Sequence, residues 1–310
     1  MMKRIKHFIF LVLLALIVYV FLNFNAGIPV EKLKEKYTYP ESEFVEIDGI
    51  NLHYRITGEG APIVLLHGVS SSLHTWEAWQ NILSENYQVI SIDVPSFGLS
   101  GPHPKDNYEV SMYMNLLDEL LHHLKIDTCY MAGNSFGGFI TWNYALHQPE
   151  RVKKIALLDA AGFQREGKLN NIGFRLALNP FTSKITEYIT PKSIVKKSIE
   201  NVYGDVSRIS EGTVDRYYDL LLRKGNRSGF VKILGKLTNL EDLSPKIAKI
   251  KQPTLIIWGD KDNLIPVENA NRFHELILQS ELKIYEGVGH VPMEEIPVET
   301  AQRFMDFLEN

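Results

Sequence analysis

Ser135 stands in the stretch Met131-Ala132-Gly133-Asn134-Ser135-Phe136-Gly137-Gly138. An apolar run from Thr128 to Ala132 stops at Gly133, and an amphipathic stretch follows from Phe139 to His147. The pattern reads as strand, sharp turn and helix, with the serine in the turn. A serine so placed is pushed out of the sheet edge, where its hydroxyl meets a substrate and the next backbone N–H groups point at the same spot. Glycine flanks it because strand and helix cross closely there and a strained turn tolerates little bulk. The plainer reading is a glycine-rich turn that only packs a helix on its strand. A serine hydroxyl is a poor nucleophile at neutral pH. It needs an imidazole to take its proton and a carboxylate to fix the imidazole's tautomer. Two later loops supply these groups, Gly259-Asp260-Lys261-Asp262 and Gly287-Val288-Gly289-His290. The assignment is Ser135 as nucleophile, His290 as base and then acid, and Asp262 as the orienting carboxylate.

Each assignment has rivals. Asp260 is two positions from Asp262 and can brace the same turn, and Asp159 closes the apolar run Val152 to Leu158. His67, in His67-Gly68-Val69 after the apolar run Ile63 to Leu66, is read as shaping its turn by a hydrogen bond rather than moving a proton. His122 and His123 are read as solvated or packed near a helix end. No H-E-x-x-H motif or cysteine pair offers a metal site, and no G-x-G-x-x-G follows the first strand, so neither a metal nor a dinucleotide cofactor is expected. The single cysteine, Cys129, lies inside an apolar run and is read as a buried small hydrophobe.

The elements that must position these groups follow a regular order. Phe44 to Ile47 and Leu52 to Ile56 read as two strands around Asp48-Gly49. Ile63 to Leu66 is wholly apolar, as in a strand covered on both faces. Next come a helix over Trp76 to Leu83, a strand over Gln88 to Ile92 closed by Asp93, a helix over Tyr108 to Leu124, the central strand and turn, and a strand over Val152 to Leu158. Alternating strands and helices imply a mostly parallel sheet, an α/β architecture. From Phe163 to about Ile250 the rhythm gives way to helical patterns around Ile194 to Tyr203, Thr213 to Lys224 and Phe230 to Leu240. That stretch is too long for a loop and reads as a helical insertion over one end of the sheet. Thr254 to Trp258, a helix near Val267 to Leu278, Leu282 to Tyr285 and a helix from Glu294 to Leu308 complete the chain. The loops at the carboxyl ends of parallel strands share one rim, so His67, Ser135, Asp262 and His290 are expected to meet.

Over residues 43 to 310 the chain resembles the α/β-hydrolase fold family. The resemblance rests on L-L-H-G-V at 65 to 69, D-V-P-S-F-G-L-S at 93 to 100, G-N-S-F-G-G at 133 to 138, W-G-D-K-D at 258 to 262 and G-V-G-H-V-P at 287 to 292. It implies an oxyanion hole from the backbone N–H groups of Val69 and Phe136, and it makes the insertion a helical cap. Some family members draw their acid from the position of Asp159. Ser96 departs from the pattern, which favours glycine there, and puts the shape of that loop in doubt. A serine nucleophile implies carbonyl substrates and acyl transfer to water, where aspartate would imply attack on an alkyl halide or epoxide. The implied organisation is 43–162 with 251–310 as the hydrolase core and 163–250 as the cap.

Ahead of the core, Lys3, Arg4 and Lys6 precede an apolar run from Phe8 to Leu22. As a helix to Phe24 it is about 25 Å long, at the lower end of what crosses a bilayer. Residues 1–26 read as a transmembrane signal anchor, with a cleaved signal peptide and a buried core helix as the competing readings. Basic residues on the N-terminal side place the N-terminus in the cytoplasm and the catalytic domain outside; cleavage would leave the protein secreted or periplasmic. Residues 27–42 read as a polar linker or short helix. With 37 acidic and 33 basic residues and a net charge of −4, no basic stripe suggests a nucleic-acid partner.

The anchor, S-L-H-T-W at 72 to 76, P-S-F-G-L-S-G-P at 95 to 102 and L-L-D-A-A-G-F at 157 to 163 are similar to the bacterial membrane-anchored lipase and esterase branch of the family. That resemblance implies carboxylic-ester hydrolysis, including esters derived from lipids. The apolar cap residues Ile172, Phe174, Leu176, Ala177 and Leu178 fit either an acyl groove or ordinary packing. Hydrolysis of a carbon–carbon bond in a diketone-like ring-cleavage product is the enzymatic alternative, since it uses the same triad and a similar cap. A non-catalytic binding module is the alternative outside enzymes.

Overall fold

The computed structural model describes residues 2–164 and 171–310, so residues 165–170 of the expected cap, and Met1 of the expected anchor, lie outside the described residues. Eight strands form one sheet: β1 (Ser42–Ile47), β2 (Ile50–Thr57), β3 (Ala61–Leu66), β4 (Tyr87–Ile92), β5 (Cys129–Asn134), β6 (Val152–Leu158), β7 (Thr254–Gly259) and β8 (Ser280–Tyr285). Their spatial order is β1-β2-β4-β3-β5-β6-β7-β8. The first three in that order pair antiparallel, and β4 through β8 are parallel.

Fourteen helices accompany the strands among the described residues. They are α1 (Met2–Asn23), α2 (Val30–Tyr37), α3 (Glu77–Leu83), α4 (Val110–His123), α5 (Phe136–His147), α6 (Ile172–Leu178), α7 (Ser183–Thr186), α8 (Lys192–Val202), α9 (Thr213–Leu221), α10 (Asn226–Thr238), α11 (Ser244–Ile247), α12 (Glu268–Leu276), α13 (Pro292–Glu295) and α14 (Pro297–Glu309). Helices α6 to α11 form the cap, inserted between β6 and β7, ahead of the last two strands.

The central strands are apolar throughout because both of their faces are covered. Alternate residues of β3 divide between two cores: Val64 and Leu66 face one with α4, α5 and α12, while Ile63 and Leu65 face the other with Trp76, Trp79 and Phe304. In β7, Ile256 and Trp258 divide from Leu255 and Ile257 in the same way. Each such side chain, fully buried, contributes roughly 1.5–3 kcal/mol. This holds rigid the strand ends that carry the site. The cap joins both cores, with Phe230 and Ile233 in one and Val195, Ile199 and Tyr203 in the other.

Three sequence expectations change. The closing helix is two, because Pro297 has no N–H to continue a helix across Ile296, which is non-helical at φ −137° and ψ 58°. Cap helix α6 covers the apolar segment Ile172 to Leu178, whose Asn171 side chain accepts from the Phe174 N–H as an N-cap. Residues 27–42 are docked rather than leading freely away: Leu33 and Tyr37 of α2 pack with Leu99 and Leu220, and Asp219 accepts from Lys36 and Tyr37 at 2.7 Å each.

Candidate active site

Ser135 is the corner between β5 and α5, at φ 55° and ψ −113°. That backbone conformation is strained for a residue with a side chain and persists only where its surroundings determine it. They do so closely. The Ser135 N–H donates to Leu158 O at 2.9 Å and its carbonyl accepts from Phe139 and Ala161. A Cβ on Gly137 would come within 2.0 Å of Leu66 O, and one on Gly68 within 3.0 Å of Ser135 Cβ. These two glycines let the loop after β3 lie against the serine turn. The N–H groups of Val69 and Phe136 flank that turn, and among the described residues neither donates to a protein acceptor.

His290 and Asp262 lie side by side at the strand ends. His290 Nδ1 lies 2.7 Å from Asp262 Oδ2, and both side chains are buried. The other oxygen of Asp262 accepts the N–H groups of Leu264 and Ile265, at 2.7 and 3.0 Å. With Asp262 as acceptor, His290 carries its proton on Nδ1 and leaves Nε2 able to accept. Ser135 and His290 line the same cavity. Asp260 ties its turn to the histidine loop, accepting from Gly287 N at 2.7 Å.

Asp159 is closer to this pair than its place in the sequence suggests. Its carboxyl, that of Asp262 and the His290 imidazole each place a polar atom within 4.8 Å of one another. Burial, then the charge of Asp262, pushes the Asp159 carboxyl well above its ordinary range. One of its oxygens accepts from Gly259 N at 3.0 Å. The hydrogen-bonding distance between His290 and Asp262 leaves no room for a cation between those two atoms.

Residues that the sequence did not single out hold the histidine loop. Asn134 donates to His290 O at 2.9 Å and to Leu158 O at 3.2 Å, joining the serine turn to the histidine loop. Glu295 accepts from Gly289 N and from Gly204 and Asp205 of the cap. Glu294 accepts from Thr75, Tyr203, Tyr217 and Arg216.

A second Ser–His–Asp arrangement runs through the interior. His53 Nδ1 is 2.6 Å from Asp93 Oδ2, and its Nε2 is 2.8 Å from Ser42 Oγ. It has the connectivity of a serine-hydrolase triad. Asp93 also accepts the N–H groups of Leu73 and Leu99, both at 2.7 Å, and Ser42 accepts from Tyr39 N. None of the three lines the cavity that holds Ser135 and His290. His67 shapes its loop as expected, with Nδ1 2.7 Å from Gly68 O and Nε2 accepting from Val94 N. Ser96 has φ 76°, which explains why glycine is favoured at that position. His122 and His123 are exposed, and Cys129 is buried with its thiol pushed up to about 12 by burial.

The cavity wall opposite Ser135 and His290 comes from the cap. Phe174, Leu176 and Ala177 of the expected apolar segment line it, while Ile172 is exposed and Leu178 packs against the core. A second cavity also reaches Ser135 and Val69 and runs to Leu234, Leu237 and Arg272.

Comparison with known proteins agrees with this architecture. Residues 61–297 match the family model described as alpha/beta hydrolase fold. Lipase 1 of Psychrobacter immobilis is 31% identical over 262 residues, covering 80% of this chain and 77% of that protein. The 2-hydroxy-6-oxo-2,4-heptadienoate hydrolase of Pseudomonas putida is 26% identical, covering 78% and 87%. The crystal structure of a membrane phospholipase A superposes with a TM-score of 0.76 at 25% identity, covering 100% of this chain and 98% of that one. The protein is thus an enzyme with serine-hydrolase chemistry, and the chain belongs to the α/β-hydrolase fold family.

Proposed function

We propose that the protein hydrolyses carboxylic esters of apolar acids through an acyl-enzyme on Ser135. The observation that carries this reading is one cavity with Ser135 and His290 at one end and apolar cap side chains along its wall. In this mechanism His290 Nε2 takes the hydroxyl proton as Ser135 Oγ attacks the ester carbonyl, and Asp262 stabilises the imidazolium that forms. The Val69 and Phe136 N–H groups receive the oxyanion; losing one such donor typically costs about 3 kcal/mol. His290 returns the proton to the leaving alcohol, and water repeats the sequence in reverse to release the acid. Residues 2–23 serve as the anchor, with the N-terminus cytoplasmic, as Lys3, Arg4 and Lys6 suggest.

The second reading is hydrolysis of a carbon–carbon bond in a ring-cleavage product. The weight of the named relatives favours it: two curated hydrolases of hydroxy-oxo-dienoates, and solved meta-cleavage product hydrolases of the same fold, stand beside the lipases. The same serine, histidine and aspartate would serve, with the proton delivered to a carbon leaving group. What favours the ester is the apolar wall and the N-terminal helix. The test is initial rates against nitrophenyl esters of increasing acyl length, alongside loss of the dienoate chromophore of a 2-hydroxy-6-oxo-dienoate, with Ser135→Ala as control. Serine-dependent ester turnover rising with chain length supports the first reading. Turnover of the dienoate in preference to every ester replaces it with the second.

A further inference from the structure

Six residues join α1 to α2, and the first five, Phe24 to Ile28, are stitched to the cap. Phe24 bridges to Ile189 and Ile28 to Arg223. Asn25 N donates to Tyr188 O and Ile28 N to Leu222 O, each at 2.8 Å, and Lys224 N donates back to Ile28 O at 3.0 Å. The Arg227 guanidinium donates to Asn25 O, and the Phe24 ring stacks on Tyr188 at 6.1 Å. Because Asn23 ends α1 and Phe24 is already paired, the strap has no slack. Wherever the end of α1 sits, Tyr188 and Ile189 sit beside it.

Two of these cap residues, Ile189 and Arg227, also wall the cavity. From Ser135 and His290 it extends to Thr186, Ile189, Thr190 and Arg227, so the strap's attachment and the cavity's far end are one place in the fold. Around that place four large apolar side chains are exposed, with Lys184 among them. Phe181 is 87% exposed, Ile185 52% and Tyr188 49%, next to Phe24 at 56%. An apolar collar of this kind on a soluble face marks an interaction site. Aromatic side chains at the end of a membrane-length helix are the groups that settle at a bilayer interface. Continuity with the 22-residue apolar α1 identifies the occupant as lipid.

We propose that the cap face bearing Phe181, Ile185 and Tyr188 rests in the bilayer surface, held there by the strap Phe24 to Ile28, so that the cavity of Ser135 opens toward the lipid and its substrates are long-chain esters resident in the membrane. An acyl chain then passes from lipid to the apolar cavity without exposing its methylenes to water. This deepens the ester reading and rests on it, and on α1 being retained as an anchor.

The test uses the full chain in phosphatidylcholine vesicles, with retention of α1 checked by intact mass. A fluorophore is attached at Phe181→Cys or Ile185→Cys, with Leu278→Cys as the control; Leu278 is 95% exposed on the loop entering β8, at the opposite end of the sheet. Nitroxide-labelled lipid is expected to quench the first two labels several-fold more than the third. Equal quenching at all three positions overturns the proposal. In parallel, the double variant Phe181→Asp with Ile185→Asp is expected to lose at least tenfold in turnover of a nitrophenyl palmitate dissolved in the vesicles, and to keep turnover of soluble nitrophenyl butyrate. Equal loss on both esters, or a dimer that this variant dissociates while the labels stay unquenched, also overturns it, the latter in favour of a second copy of the chain on this face. The labels report independently of catalysis. Quenched labels on a protein inactive toward all esters would discard the ester reading and leave the docking intact; unquenched labels on an active esterase would do the reverse.

Discussion

Asp159 and Asp262 leave the carboxyl ends of neighbouring parallel strands and bring two buried carboxyl groups to the same imidazole, that of His290. Two carboxylates so close do not both ionise, and their environments separate them. Asp262 accepts two N–H groups and the imidazole, whereas burial and the charge of Asp262 push the Asp159 carboxyl up. The proton belongs on Asp159.

Asp159→Asn is therefore expected to keep kcat within a few-fold at neutral pH, since asparagine replaces a neutral group and tolerates the backbone at φ 46°. Asp262→Asn should lower kcat by about 10⁴, as loss of the orienting carboxylate does in a serine triad. The folded state holds a proton that the unfolded chain releases above about pH 4, so Asp159 makes stability fall as pH rises from there. Urea denaturation of Asp159→Asn from pH 5 to 8 should show that slope reduced. Equal loss of activity in both variants would assign the acid's role to the pair.

Ser42 offers the opposite test. Removing its hydroxyl deletes hydrogen bonds to Tyr39 N and His53 but touches nothing in the Ser135 cavity. Ser42→Ala is expected to cost about 1 kcal/mol of stability and to leave kcat/KM unchanged. His53→Leu removes the partner of a fully buried carboxylate and should cost about 3–5 kcal/mol. Thermal melts and ester rates on the same samples separate the two effects.

Acid sensitivity should come in two steps. Burial pushes the His67 imidazole down and takes that of His74 to about 4, so both stay neutral when folded while the unfolded chain protonates near pH 6.5. Stability is lost as pH falls from about 6.5 toward 4. Burial disfavours the Asp93 carboxylate, but the charge and hydrogen bond of His53 outweigh it and hold Asp93 at about 2. The folded state keeps Asp93 ionised where the unfolded chain protonates it, so a further loss follows from about pH 4 toward 2. Denaturant midpoints measured from pH 8 to 2.5 should fall in both windows, and His74→Gln should flatten the first.

Glu294 ties the cap to the loop after β8. Glu294→Ala leaves the Arg216 guanidinium without its carboxylate and frees Tyr203 and Tyr217. A loss of about 3–5 kcal/mol is expected. Hydrogen exchange should be fastest in α9, which carries Arg216 and Tyr217, and at the end of α8, which Tyr203 follows, with the β3 and β5 amides still protected.

The groups proposed to react were legible because each sits at a strand end with a local pattern: glycines around Ser135, G-x-G before His290, a strand terminus before Asp262. The central strands were legible for the same kind of reason, being short, apolar and bounded by turns. What supports the site was not legible. Asn134, Glu294 and Glu295 reach partners as far as 219 residues away in sequence, and nothing local distinguishes them from surface polar residues. The docking of residues 24–37 was missed because a short charged helix reads as solvated until its two apolar positions, Leu33 and Tyr37, find Leu99 and Leu220. The break before α14 escaped because a single proline within an amphipathic pattern was outweighed by the pattern.

The central claim is that Ser135 is the nucleophile, and covalent labelling tests it most directly. The folded full chain is treated with an alkyl fluorophosphonate and its peptides are mapped by mass spectrometry. One equivalent is expected on Ser135, with activity lost in proportion to label and no label in Ser135→Ala or His290→Ala. Label on Ser42, or a folded protein that takes up none, would contradict the assignment.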